Sequence, residues 1–464
     1  MVIKALIDAA QSYGRRILAA VLSLGVLAGV LGAAALAEPA PVNWVIDSNG
    51  NWNDISLWGN NSALSSPGND ATVDRPKDIA VGDLTGAAAA QSLALKENLA
   101  VAGGLVQTAN GAMVGDGQTS DGMGVMAICQ IAGFLRGTFT ATGGNYQFTG
   151  LTNIDGSSFA VSNGAKVVAP VVNHFDDTAI SSAMSRSLTA DGSGSILDLH
   201  SLPVIGATSA GSTTLTVKAS SGGKVDLSGV KTLSTGPVQI TADGLDSIID
   251  FSDLTTFLAR GPLGSSSAVK ALNGGKILFG ASPPPMPGLN LTVANGGSVA
   301  AGEYQLTLGA VLSGDGAFKG NLTNLATVRP GSSTGTLAIN GDYTQESNGT
   351  LLAEIGGTEP GQFDAIAVSG SASLDGTLKV DLTDNFAPAA GQSYQILTAS
   401  GGVKGRFATT SLPPLGAGKS WGTTYGSDSV TLFVVPEPGS VALIGSGLVA
   451  LLAAAGWRRR RARQ

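Results

Sequence analysis

The chain is expected to be all-β, a right-handed parallel β-helix (β-solenoid) with an N-terminal signal helix and a single C-terminal transmembrane helix. Three observations predict this. Glycine supplies 66 of 464 residues and charged residues only 13%, against ordinary shares of about 7% and about 25%. Short strand patterns recur through the body, separated by Asn-Gly, Asp-Gly and Gly-Gly pairs. Both ends carry apolar runs with basic residues beside them.

The composition also excludes several classes. Glycine clusters irregularly, so the three-residue period of collagen is missing. Hydrophobic residues reach 43%, too many for compositional disorder. Aromatic residues are only 5%, which suits a narrow core filled by Val, Ile, Leu, Ala and Ser.

The N-terminus places Lys4, Arg15 and Arg16 before an apolar run from Ile17 to Ala37. The run ends Ala35-Leu36-Ala37, with Glu38 and Pro39 behind it. A basic region, an apolar region and an A-x-A site describe a secretory signal peptide over 1–37, with Ala35 and Ala37 at the cleavage site. An uncleaved anchor is the alternative. Gly14 and Ile17 fit twin-arginine export poorly, so the Sec pathway is expected.

Residues 38–80 bring Trp44, Trp52 and Trp58, three of the five tryptophans. Such rings suit a cap that seals the first coil; a carbohydrate-stacking surface is the other reading. Similar tryptophan-rich openings are familiar from β-helical surface proteins.

Residues 81–319 carry the repeats. The unit is a short strand, a turn containing glycine, and a second strand opened by Val or Ile. Val167, Ile196, Val225, Ile248, Ile277 and Val299 stand out as its apolar anchors, spaced 29, 29, 23, 29 and 22 residues apart. Period-two stretches such as Leu215-Thr216-Val217 mark half-buried strands. Asn-Gly and Asp-Gly provide positive φ at the corners. One coil cannot bury its inward residues, whereas stacked coils bury a continuous column. A string of antiparallel hairpins would use the same turns, but the spacing exceeds the 8–12 residues or so of a hairpin unit.

Residues 320–434 form a distinct terminal unit. Its run Phe363-Asp364-Ala365-Ile366-Ala367-Val368 and the Gly-Thr-Leu steps at 335–337, 349–351 and 376–378 resemble the terminal passenger segment of autotransporter-like β-helices. That resemblance implies a cap over the open sheet edge.

The inventory for chemistry is thin. There are two histidines, His174 and His200, and one cysteine, Cys129. His174 lies near Asp176 and Asp177, and His200 near Asp198; a solvated loop position is the simpler reading than a triad or a metal site. Asp246, Asp250 and Asp253 are the carboxylates a β-helical polysaccharide lyase or hydrolase would call upon, though Asp250 equally fits the outer face of a strand. Ice binding would need ranked Thr-x-Thr rows, and Thr214 and Thr216 make one step only. The reading is therefore no catalytic residue, no metal and no cofactor.

The C-terminal 435–464 segment is the most specific feature. Pro436-Glu437-Pro438 precedes an apolar run from Val441 to Trp457, then Arg458, Arg459, Arg460, Arg461 and Arg463. Proline on both sides holds Glu437 extended. Seventeen helical residues rise about 25 Å, just short of a hydrocarbon core of about 30 Å. The arginines mark the cytoplasmic side, which puts the body outside.

These three parts in order resemble a PEP-CTERM sorting signal. The resemblance implies an exosortase-type processing enzyme as partner, in a Gram-negative bacterium that makes exopolysaccharide. It implies Sec export, transient anchoring in the inner membrane, then delivery to the cell surface or matrix; a permanent single-pass anchor is the alternative. Loss of both ends would remove eight basic residues and one acidic residue, turning a net charge of −7 into about −14. An acidic body disfavours nucleic acid as a partner. The expected function is a non-catalytic surface or matrix β-helix associated with exopolysaccharide. The alternative is a carbohydrate-active β-helix enzyme.

Overall fold

The computed structural model describes residues 138–176, 185–206, 214–234, 236–258 and 267–437 continuously. Toward the N-terminus it describes separate strands between Ala40 and Leu135 and the single residues Val45, Ser56 and Gly59. The signal and transmembrane helices expected over 1–37 and 441–457 lie outside these residues. So do the three tryptophans and Cys129.

All regular structure in the continuous segments is strand, and the strands stack in parallel up to an antiparallel pairing at the C-terminal end. One coil shows the plan. Leu215–Ser220 forms the first face, Lys224–Asp226 the second and Thr232–Ser234 the third, and Val238–Asp243 returns to the first face one coil later. Each strand pairs in register with its counterpart in the next coil, as Leu215 with Val238 and Val225 with Ile249. The first face runs from Ala40–Asn43 to Thr409–Ser411. This is the stacked arrangement expected of a β-solenoid, and the hairpin-string alternative fails because successive coils pair in parallel.

Alternation does the burying. Leu215, Val217 and Ala219 point inward while Thr216, Lys218 and Ser220 face out. The inward residues of every face join one apolar column from Phe139 to Val434.

Two expected anchors were misplaced by one residue. Ile196 and Ile248 face outward, and the buried column runs through Val167, Leu197, Val225, Ile249, Ile277 and Val299. The reason is a longer corner. From the last inward residue of the first face, the second-face anchor is six residues on in Val161–Val167 and Ala219–Val225, but seven on in Ala190–Leu197 and Ala242–Ile249. The extra residue accompanies a buried serine. Ser195 Oγ accepts the Gly164 N–H at 3.0 Å and donates to the Asp191 carbonyl at 2.6 Å. Ser247 Oγ repeats this with Gly222 at 3.0 Å and Asp243 at 2.8 Å. The shorter corners use left-handed pairs instead, such as Asn273 (φ 52°) with Gly274 (φ 87°).

Coil length also varies at another corner. Eight residues separate Val204–Gly206 from Leu215–Ser220, but three separate Thr232–Ser234 from Val238–Asp243. Extra chain is thus accommodated between the third face and the first.

Beyond Ser298 the second and third faces merge into longer strands. Ser298–Leu306 pairs with Ala317–Asn324 across a register shift between Ala300 and Glu303. Glycine lines this bend. A Cβ on Gly320 (φ +138°) would lie 1.5 Å from the Ala301 carbonyl oxygen, and one on Gly341 would lie 2.3 Å from that of Gly320. The coils here approach backbone to backbone.

The stack ends in antiparallel pairing. Ser429–Pro436 runs back between Ser393–Ala399 and Lys419–Tyr425. It covers a sheet edge that would otherwise offer free N–H and C=O groups. Tyr394, paired with Leu432 of that strand, is fully buried, with Phe363, Phe386 and Trp421 ring centroids at 5.7, 6.3 and 6.0 Å.

Candidate functional site: the terminal strand and its sorting motif

Both histidines are exposed: His174 lies in a parallel bridge with Asn153, and His200 lies in the corner after Ile196–Asp198. His174 Nδ1 lies 2.6 Å from Asp155 Oδ1, a partner 19 residues away rather than the neighbouring Asp176. Asp155 Oδ1 also accepts the Asp176 backbone N–H at 2.6 Å. His200 Nδ1 lies 2.6 Å from Asp198 Oδ1. Their side chains are 56% and 46% exposed, so water competes for both pairs. Asp177 lies outside the described residues.

The carboxylates singled out for glycosidic chemistry do not share a cleft. Asp246 sits in the corner before Ile248–Phe251 with φ 63°. Asp250 faces outward from that strand, and Asp253 lies in the corner beyond it. Asp250 instead stacks in register with Asp226 and Asp198 on successive coils. Each turns its carboxylate back onto the chain: His200, Ser228 and Ser252 donate backbone N–H groups at 3.1, 2.9 and 2.9 Å. These are Asx turns that shape the corner. Among the described residues, no three His, Cys, Asp or Glu side chains are placed to hold a metal.

A threonine file escaped the sequence reading. Thr327, Thr350, Thr377 and Thr409 stand in register on the first face. Two residues after each come Arg329, Leu352, Lys379 and Ser411, so the file stays single. The spacings of 23, 27 and 32 residues hid it.

One buried acid was also missed. Asp364 is fully buried, and its two oxygens accept the Gly335 and Glu354 backbone N–H groups, each at 2.9 Å. Burial is the main cause that pushes its carboxyl up to about 7; the two N–H donors and Arg329 oppose the rise, and nearby Glu354 adds to it. Arg329 pairs with Glu354 at 2.5 Å. This group ties consecutive coils together.

Of the sorting residues, the described chain reaches Pro436 and Glu437. Pro436 is the last residue of the terminal strand, opposite Lys419. Glu437 is exposed, and its backbone N–H donates to the Gly418 carbonyl at 2.9 Å. The motif therefore starts on the folded edge with no spacer. Pro438, the five arginines at 458–461 and 463, and Ala35 and Ala37 lie outside the described residues. Among the described residues, no helix is long and apolar enough to cross a membrane.

No curated protein matches the chain. Residues 434–461 match a family model, the PEP-CTERM protein-sorting motif, so the strand that closes the fold runs directly into a sorting signal.

Proposed function

We propose that this protein is an exosortase substrate, exported through the Sec pathway, anchored transiently in the inner membrane and then delivered to the cell surface or extracellular matrix. Its body is a right-handed, autotransporter-like β-solenoid with a structural rather than catalytic role, and exopolysaccharide is its partner. The observation that carries the proposal is the sorting motif over 434–461, immediately after the terminal strand. Export and processing follow from that motif. The non-catalytic reading draws support from exposed histidines that each face one aspartate, and from Asp246, Asp250 and Asp253 being dispersed.

The sorting reading is tested with Glu437→Ala in a chain tagged in the body and at the C-terminus. The expected result is retention of the C-terminal tag on the body; unchanged tail loss would overturn it. The structural reading is tested by incubating the purified body with acidic and neutral polysaccharides. Co-sedimentation without new reducing ends or unsaturated sugars is expected, and the appearance of either product favours the enzyme.

A further inference from the structure

We infer that the fold itself fixes where the tail can be removed: the cut lies beyond Glu437, and the body leaves with its closing hairpin whole. The inference rests on the sorting reading above and adds a boundary to it.

The boundary comes from how the strand is held. Val434 is 1% exposed. Its backbone N–H donates to the Gln392 carbonyl at 3.0 Å, and its carbonyl accepts the Gly391 N–H at 2.8 Å. On its other side it pairs with Trp421. Both edges of the backbone are therefore occupied. Val430 and Leu432 lie buried in the same strand, opposite Leu397 and Tyr394.

The grip weakens within three residues. Pro436 has no N–H to give and is opposed by Lys419. Glu437 makes one backbone bond, to Gly418, and its side chain is exposed. Gly418 has φ +78°, so the partner strand turns away there. A processing enzyme that grips an extended peptide adds its own strand to a free substrate edge. Residues 430–434 offer no free edge until the hairpin opens, and opening it uncovers the core of the last coil. At Glu437 one backbone bond, to Gly418, has to be released.

Removal of the tail breaks one peptide bond. Water supplies the hydroxyl that completes the carboxylate on the body and the hydrogen that completes the amino group on the tail.

The test is the mass of the released body from cells, alongside proteinase K digestion of the full chain in detergent. Both products are expected to end at Glu437 or a later residue. A body or resistant core ending at Pro436 or earlier overturns the boundary while leaving the sorting reading standing. Tail loss that ignores Glu437→Ala breaks the sorting reading, and the digestion still reads the boundary. Gly422→Val loosens the hairpin, because a Cβ there would meet the Phe433 ring at 2.4 Å. In that variant the resistant end moves N-terminal of Val434, and Gly422→Ala moves it in the same direction to a smaller extent. A resistant end unmoved in both variants overturns the claim that the hairpin sets it.

Discussion

The coils before Ser298 and those after it solve the same stacking problem in different ways. In the earlier coils the register is set at the corners, by left-handed Asn-Gly pairs and by the hydroxyls of Ser195 and Ser247. Their interior column is apolar, with aromatic rings such as Phe139, Phe159 and Phe251 among the aliphatic residues. The later coils carry polar groups inside. Asn324, Tyr343 and Gln345 form a buried chain in which Tyr343 donates to Gln345 Oε1 at 2.7 Å and Gln345 reaches the Asp375 and Thr377 carbonyls at 2.9 and 3.0 Å. Asp364 adds a buried carboxylate. An apolar-for-apolar exchange in the earlier column leaves no side-chain hydrogen bond unmade. Later coils hold one arrangement, because each buried polar group has specified partners and loses free energy without them.

Three changes test that contrast. The largest is Gly320→Val. Its Cβ would fall inside the Ala301 carbonyl at a φ of +138°, so the coils must part. A loss of about 5 kcal/mol is expected, read as a collapse of the later coils in thermal unfolding while the earlier coils persist.

The next is the pH response of Asp364. Its folded value of about 7 lies above its ordinary 3.8, so the folded chain holds the proton more tightly. Its contribution to stability is full below about pH 4 and lost as pH rises to about 7. The loss is on the order of 4 kcal/mol, from a rise of about three pKa units at about 1.36 kcal/mol each. Denaturant titrations from pH 4 to 8 should show this fall, and Asp364→Asn should flatten it. An unchanged slope in the variant would remove Asp364 as the cause.

The smallest is Ser247→Ala, expected to cost about 1–2 kcal/mol by leaving the Gly222 N–H without its acceptor. Chemical denaturation of the two proteins reads the difference. A neutral result would mean that the earlier corners do not rely on their hydroxyls.

The parallel stack was legible because Asn-Gly and Gly-Gly corners recur at spacings too long for hairpins. The register was legible wherever the corner was short. It slipped at Ile196 and Ile248 because one inserted residue turns every following side chain to the opposite face, and Ser195 and Ser247 look like ordinary polar turn residues. The Asp364 clamp was hidden for another reason: its partners are backbone groups of Gly335 and Glu354, which leave no mark in side-chain pattern. The Asp155 partner of His174 was not legible because it lies one coil away, close in space and distant in sequence. The sorting motif needed no fold to be seen. Its junction with the fold did, because nothing in Val-Val-Pro-Glu-Pro announces that Val434 is a core residue.

The position of Ser429–Pro436 between two antiparallel partners has a mechanical consequence. A force applied at Glu437 along the strand loads both ladders lengthwise. Their hydrogen bonds then share the strain in shear, instead of parting one at a time as in a peeling edge. The neighbouring strand Ser393–Ala399 belongs to the last coil, which passes the load into the whole stack. A body held by its tail against flowing water would pull on its strongest direction.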